Sequence, residues 1–345
     1  MLIKNYNVLN KNPQRKICLD LIEVALLSIQ PENVIPKNFS LNGDILTIQD
    51  KIFDLKNFER VFLLGFGKGS AGLSKKIEEI LGNKITLGLV IDLEPQSFSR
   101  IEFTLGSHPL PSEQNFTFTQ KSIQQFNNLT IKDLIIVVIA GGGSAMLVNP
   151  YKISLEKLIE TNKQLLKSGA NITEMNIVRK HLDIVKGGGL AKLFFPARIV
   201  ATISSDVPGN DLSTIASGPT VKDATTKEQA FEILKKYNLF EQFSVDDFLE
   251  TPKDEKYFTN TTTILMLSNQ TALHAMEQKA KELGYKTIIL TDKFQNEAKF
   301  AGKKLIDQTP PNTILLAGGE TTVKVTKKGK GGRNQELVLG ALPNI

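Results

Sequence analysis

Among 345 residues there is a single cysteine, Cys18, which excludes an intrachain disulfide and points to a reducing compartment. No apolar run reaches bilayer length, and the opening Met1-Leu2-Ile3-Lys4-Asn5-Tyr6-Asn7 lacks a signal-peptide pattern, so a cytoplasmic location away from membranes is expected. Histidine is scarce: His108, His181 and His274 are scattered without ligand spacing, which argues against a zinc site. There is no internal repeat, no low-complexity segment and no arginine-rich tract with interleaved aromatics of the kind that marks an RNA or single-strand DNA surface. The formal net charge of +6 is spread over many lysines balanced by acids, so it favours small anions and does not call for nucleic acid.

What the chain does have is alternation. The length suffices for about two domains. After Pro13, residues 15–28 carry apolar side chains at helical spacing. Short apolar runs at 61–64, 87–91, 134–140 and 198–203 read as strands, separated by segments of period 3.6 such as Leu73, Ile77 and Ile80. That pattern predicts a parallel sheet with helices on both faces. A second set at 263–267, 287–290 and 313–317 follows a polar stretch at 251–260. The expected fold is therefore α/β with two α/β/α domains. The first, 1–250, is a Rossmann-like, doubly wound, mostly parallel sheet; the second, 258–345, is a smaller mixed sheet, against which the helix near 14–29 is a candidate to pack.

Glycine clusters fall where strands should end, which is where ligands bind in open sheets. Gly65-Phe66-Gly67-Lys68-Gly69-Ser70-Ala71-Gly72 contains a literal G-x-G-x-x-G, and Asp92 lies twenty residues beyond it, as in a dinucleotide-binding fingerprint. Read instead as a tight strand-to-helix turn, the same segment places Lys68 to offer a cation to a phosphate or carboxylate. Gly141-Gly142-Gly143-Ser144 reads as an anion cradle, with Ser144 as a hydrogen-bond donor; Met146 stands where a hydrolase elbow needs glycine. Arg179 and Lys180 taken singly fit a solvated helix face equally well, whereas Lys186 beside three glycines is harder to assign to the surface. Asp206, at a strand end, can hold Mg²⁺ through waters, accept a proton or cap a turn. Gly318-Gly319-Glu320 and Gly331-Gly332-Arg333-Asn334 combine glycine, carboxylate and a forked cation near a helix start, suited to phosphate or carboxylate.

Together these segments resemble the class II glycerate kinase family, the glycerate 2-kinases, also labelled hydroxypyruvate reductases. The shared motifs are Gly65-x-Gly67-Lys68, Ser107-His108-Pro109-Leu110-Pro111, Gly141-Gly142-Gly143-Ser144-Ala145, Asn176-x-x-Arg179-Lys180-His181-Leu182, Lys186-Gly187-Gly188, Ser205-Asp206-Val207, Ala216-Ser217-Gly218-Pro219-Thr220, Gly318-Gly319-Glu320-Thr321-Thr322 and Gly331-Gly332-Arg333-Asn334-Gln335-Glu336. The resemblance implies ATP- and Mg²⁺-dependent phosphorylation of D-glycerate to 2-phosphoglycerate, in a cleft between two α/β domains. It implies Lys68, Arg333 and Asp206 as catalytic residues. It also implies Gly67, Gly141, Gly142, Gly143, Ser144, Arg179, Lys186, Ser217, Glu320 and Asn334 as substrate- or nucleotide-binding residues, with Asp206 and Glu320 at the metal. The expected partners are glycerate and ATP, with a homodimer left open.

Two departures stand out. Asn210 occupies a position where the family usually has Asp, although Asp211 follows. Family members also continue past the Arg-Asn-Gln-Glu helix into a Thr-Asp-Gly then Asp-Gly-Pro segment, whereas this chain stops at Ile345, so a truncated C-terminal leucine-rich (MOFRL) domain is expected. The competing readings are an NAD(P)-dependent hydroxyacid reductase, resting on the fingerprint and Asp92, and a truncated relative that binds a nucleotide or acid without turnover.

Overall fold

The computed structural model describes residues 1–325 and 329–344. It divides into a larger unit, Ile35–Ser205 with Asp211–Met266, and a smaller one, Met1–Val34 with Asp206–Asn210 and the chain from Leu267 onward.

In the larger unit three four-residue strands, β1 (Phe39–Asn42), β2 (Ile45–Ile48) and β3 (Lys51–Asp54), pair antiparallel as a meander. Six more strands form one sheet: β4 (Arg60–Phe66), β5 (Leu87–Asp92), β6 (Ile101–Leu105), β7 (Asp133–Ile139), β8 (Arg198–Ser204) and β9 (Thr261–Leu267). Their order is β6-β5-β4-β7-β8-β9, and the first four pairings are parallel. Every residue of β7 is buried, as are all but the first of β4, because strands covered on both faces need continuous apolar runs and not alternation. Arg60 lies opposite Asp133 in the β4–β7 ladder and donates to it from Nε at 2.7 Å, which pins the register at the amino end.

Helix Ser70–Leu81 follows β4, and Glu113–Gln125 follows β6. Beyond β7 the helices Leu155–Lys167, Ile172–His181 and Lys227–Lys236 share an apolar core that includes Leu158, Leu165, Met175, Val178, Leu234 and Phe248. This core fixes the helix that carries Arg179.

The smaller unit holds a parallel pair, β10 (Lys286–Phe294) and β11 (Thr313–Gly319), with helices Asn269–Glu282 and Ala298–Asp307. Helix Pro13–Ser28 packs on Asn269–Glu282. Helix Arg333–Ala341 packs on Ala298–Asp307 through glycine on both sides: a Cβ at Gly302 would lie 2.2 Å from Leu337 O, and one at Gly340 2.2 Å from Lys299 O. Backbone meets backbone there, and any larger residue would force the helices apart.

The fold is thus α/β, with a Rossmann-like parallel sheet in the larger unit, as the alternation predicts. The run 263–267 differs from expectation: it does not open the second sheet but lies within β9, beside β8 in the larger one. A polar stretch marks a long connection on the surface and carries no information about which sheet the next strand joins. Among the described residues no helix is long and apolar enough to cross a membrane.

Candidate active site

Strand β4 is followed in sequence by the strands on one side of it, and β7 begins the other side. The crevice between their carboxyl ends is a topological switch point, where ligands of open α/β sheets bind. The two glycine-rich loops meet there. Lys68 donates its backbone N–H to Gly141 O at 2.7 Å, and Ala140 donates to Phe66 O at 3.0 Å. Gly67 (φ +106°) has its missing Cβ 2.3 Å from Ala140 O, so only glycine lets the loops approach. Gly142 (φ +79°) is crowded from the other side: a Cβ would lie 2.7 Å from His108 Cδ2 and 3.2 Å from Lys68 Cε. The aliphatic end of exposed Lys68 and the His108 ring therefore both lie against the Gly142 backbone. His108 carries no ligand spacing that could have singled it out. The only signal is its place in the Ser-His-Pro-Leu-Pro loop after β6.

Asp92 overturns the dinucleotide reading. Its Oδ2 accepts the N–H groups of Gly69 and Ala71, each at 2.9 Å, and its Oδ1 accepts Leu93 N–H at 2.6 Å. A pyrophosphate would need those same donors at the start of helix Ser70–Leu81. Burial raises the Asp92 pKa, against the pull of the three N–H groups. The fingerprint is a structural turn capped by a buried acid, and the reductase alternative loses its warrant.

Beside the switch point lies a cavity of about 210 Å³, lined by His108, Leu110, Gly142, Ser144, Leu158, Ile159, Arg179 and Lys186 among others. Lys186 is buried and has spent all three donors, on Ser144 O (3.0 Å), Leu147 O (2.7 Å) and Asp183 Oδ2 (3.1 Å). Asp183 also accepts Val185 N–H at 3.0 Å and Asn149 N–H at 3.1 Å. Burial lowers the Lys186 pKa, and Asp183 opposes that shift. Lys186 thus holds the cradle loop in shape, with no N–H left for a ligand. Ser217 is likewise fully buried and reaches the cavity only through Ser144: the two hydroxyls are 2.9 Å apart, and Ser217 donates to Asn176 Oδ1 at 3.1 Å. Ser144 must then donate to Ser217, and it faces the cavity with an acceptor oxygen where the sequence suggested a donor.

Arg179 is different. Among the described residues its one hydrogen bond runs from Nε to Asn162 Oδ1 at 2.8 Å, and no carboxylate lies within ion-pair distance. Burial lowers its pKa. The helix that presents it begins with a capping box: Asn171 Oδ1 accepts Glu174 N–H, and Glu174 Oε2 accepts Asn171 N–H, both at 3.0 Å. Hydrogen bonds from Lys236 first, then from the Asn171 backbone and Tyr237, hold the Glu174 carboxyl at about 2. A depressed carboxyl stabilises the fold above its unfolded pKa and loses that contribution as pH falls through the folded one. Glu174→Gln, which keeps the box but not the charge, should therefore lower the melting temperature near neutral pH, with the gap to wild type closing at about pH 2. A gap that stays constant down to acid pH would remove the charge from the account.

In the smaller unit Arg333 Nη1 donates to Glu320 and, at 3.1 Å, to Thr321 O; both side chains of the ion pair are about half exposed. Exposed Asn334 follows on the same helix. Asp206 is exposed, two residues past β8. Asp211 is taken up by a turn, accepting Ser213 N–H and the Thr214 hydroxyl at 2.9 Å each. No cluster of three or more potential metal-ligating side chains occurs among the described residues.

Residues 17–250 match a domain of unknown function, DUF4147, and residues 313–345 match the MOFRL family. The glycerate 2-kinase of Pyrococcus horikoshii is 35% identical over 354 residues, covering 96% of this chain and 79% of the relative. The D-glycerate 2-kinase of Thermotoga maritima is 37% identical over 301 residues, covering 83% of this chain and 72% of the relative. A crystal structure of Thermotoga maritima glycerate kinase aligns with a TM-score of 0.82 at 32% identity, covering 94% of this chain and 78% of that one.

Proposed function

The chain belongs to the class II glycerate 2-kinase family, with a MOFRL-family segment at residues 313–345, and from that premise we propose that it transfers a phosphoryl group from ATP to D-glycerate, giving 2-phosphoglycerate. The observation that carries this reading is the convergence of Lys68, His108 and the Gly142 backbone at the sheet's switch point. Phosphoryl transfer asks the protein mainly for positioning and for charge placed where charge develops, and a glycine-walled cation supplies both.

Lys68 is assigned to the transferring phosphoryl group. The backbone N–H groups of Gly141 and Gly142, which make no hydrogen bond among the described residues, are assigned to phosphate oxygens. Arg333 is assigned as a forked phosphate ligand. Its surface pair with Glu320 contributes little to stability and can exchange for a phosphate at small cost. Glu320 then orients Arg333, and Asn334 is a neighbouring polar contact. For magnesium, kinase sites use one or two carboxylates together with the substrate phosphates, so an exposed Asp206 beyond a strand end fits while a dedicated protein cage is not required. When bound, the ion would neutralise charge on the phosphate oxygens. Asp206 is assigned to hold it through waters.

Incubation of the protein with ATP, Mg²⁺ and D-glycerate should release ADP in step with 2-phosphoglycerate, identified by phosphorus NMR. Folded protein that forms no ADP with D-glycerate would sink the reading.

A further inference from the structure

We propose that the cavity walled by Arg179, Ser144 and the apolar side chains of Leu110, Leu158 and Ile159 is the acceptor subsite, holding a short hydroxy acid with its carboxylate on the Arg179 guanidinium and a hydroxyl on Ser144 Oγ. The assignment rests on the kinase reading for the word acceptor, but the binding chemistry stands by itself.

Three observations carry it. Size comes first: at about 210 Å³ the cavity falls below the roughly 300 Å³ at which sites for drug-sized ligands begin, so it is too small to enclose a nucleotide and suits a three-carbon acid. Charge comes second. Arg179 is desolvated without a partner carboxylate, and a desolvated cation is costly unless it is paired. Asp183, the acid beside Lys186, is committed to that lysine and to two backbone N–H groups. Burial lowers the Lys186 pKa first, and Lys186 lies close enough for the Arg179 charge to add to that lowering. The cavity therefore has one cation without an acid partner on its wall, Arg179, beside a Lys186–Asp183 pair that is already engaged; a planar carboxylate can meet the guanidinium through paired N–H bonds.

Hydroxyl polarity comes third. The chain Ser144 to Ser217 to Asn176 consumes the Ser144 proton, so at this wall the cavity offers an acceptor. A ligand group meeting it must donate, which an alcohol does and an ether, a keto group or a second carboxylate does not. Carboxylate plus alcohol on a short apolar frame defines a hydroxy acid. Ser217 and Lys186 act here as positioning residues, because they fix Ser144 by its side chain and by its carbonyl.

The test is equilibrium binding to the full chain without ATP, by calorimetry, using D-glycerate and its neutral amide, glyceramide. Wild type should prefer the acid by on the order of 10- to 100-fold, as expected for hydrogen bonds to a charged partner. Arg179→Gln should lose that preference, and in turnover assays it should raise KM for D-glycerate by a similar factor while KM for ATP stays within about threefold. Arg179→Lys, which keeps the charge, covers the case in which the glutamine variant misfolds, and should also bind the acid more weakly because the fork is lost. Equal binding of acid and amide by wild type, no binding of the acid at all, or an Arg179 variant whose defect lies in KM for ATP would each overturn the assignment. If wild type binds the acid selectively yet releases no ADP, the kinase reading fails and the subsite survives.

Discussion

Lys68→Ala should lower turnover with ATP and D-glycerate by roughly two to three orders of magnitude, the loss measured when a preorganised donor is removed from developing charge. The fold should hardly notice. Lys68 is exposed, and the loop that bears it is fixed by the backbone, through the Lys68 N–H bond to Gly141 O and through Gly67 and Gly69 at positive φ. The contrast is informative because the side chain and the main chain of one residue then have separable roles. Thermal unfolding within a degree or two of wild type, together with a collapse in kcat, is the expected pair of results. A variant turning over at a near-normal rate would take Lys68 out of the reaction and leave Gly142 crowded for reasons of packing alone.

The second large effect is on stability. Lys186→Met removes the donors of two backbone carbonyls and leaves Asp183 as an unpaired charge in a fully buried position. Breaking a buried pair from one side costs about 3–5 kcal/mol, because the remaining ion has neither water nor partner. The larger unit should therefore unfold at markedly lower urea. Adding Asp183→Asn should return part of that loss, since asparagine still accepts from Val185 and Asn149 N–H but carries no charge. If the double variant is no more stable than Lys186→Met, the damage comes from the orphaned carbonyls of the Ser144–Leu147 turn and not from the acid. Both outcomes distinguish a structural lysine from a ligand-binding one, which would cost activity and little stability.

The two lysines show how unevenly the site could be read in advance. Both sit beside glycines at strand or helix ends, and both belong to motifs of the family. In the folded chain Lys68 is exposed at the switch point, whereas Lys186 is buried with its three donors engaged. The same holds for the carboxylates. Asp92, at the spacing of a ribose ligand, caps the helix after β4, while Glu320 is engaged by Arg333. Conversely, Arg179 reads in sequence as an even choice between solvent and ligand, and desolvation without an acid partner is what supports the binding role proposed for it.

The amino-acid sequence by itself determined the central strands and the glycine loops that follow them, but not the short strands β1, β2, β3 and β6, which carry no continuous apolar run. Continuous apolar runs such as those of β4 and β7, short and closed by glycine, suit central parallel strands buried on both faces, and glycine is needed where positive φ coincides with close approach of a neighbour, as at Gly67 and Gly142. These are properties of a residue and its immediate neighbours, so they are written locally. Tertiary structure decided which sheet 263–267 would join, and which polar groups would remain available once folding had paired the rest. Asp92 meets Gly69 across 23 residues, Lys186 meets Ser144 across 42, and Ser144 meets Ser217 across 73. Availability depends on such distant partners, because a hydrogen-bond donor or a charge is free for a ligand only if nothing brought close by the fold has claimed it first.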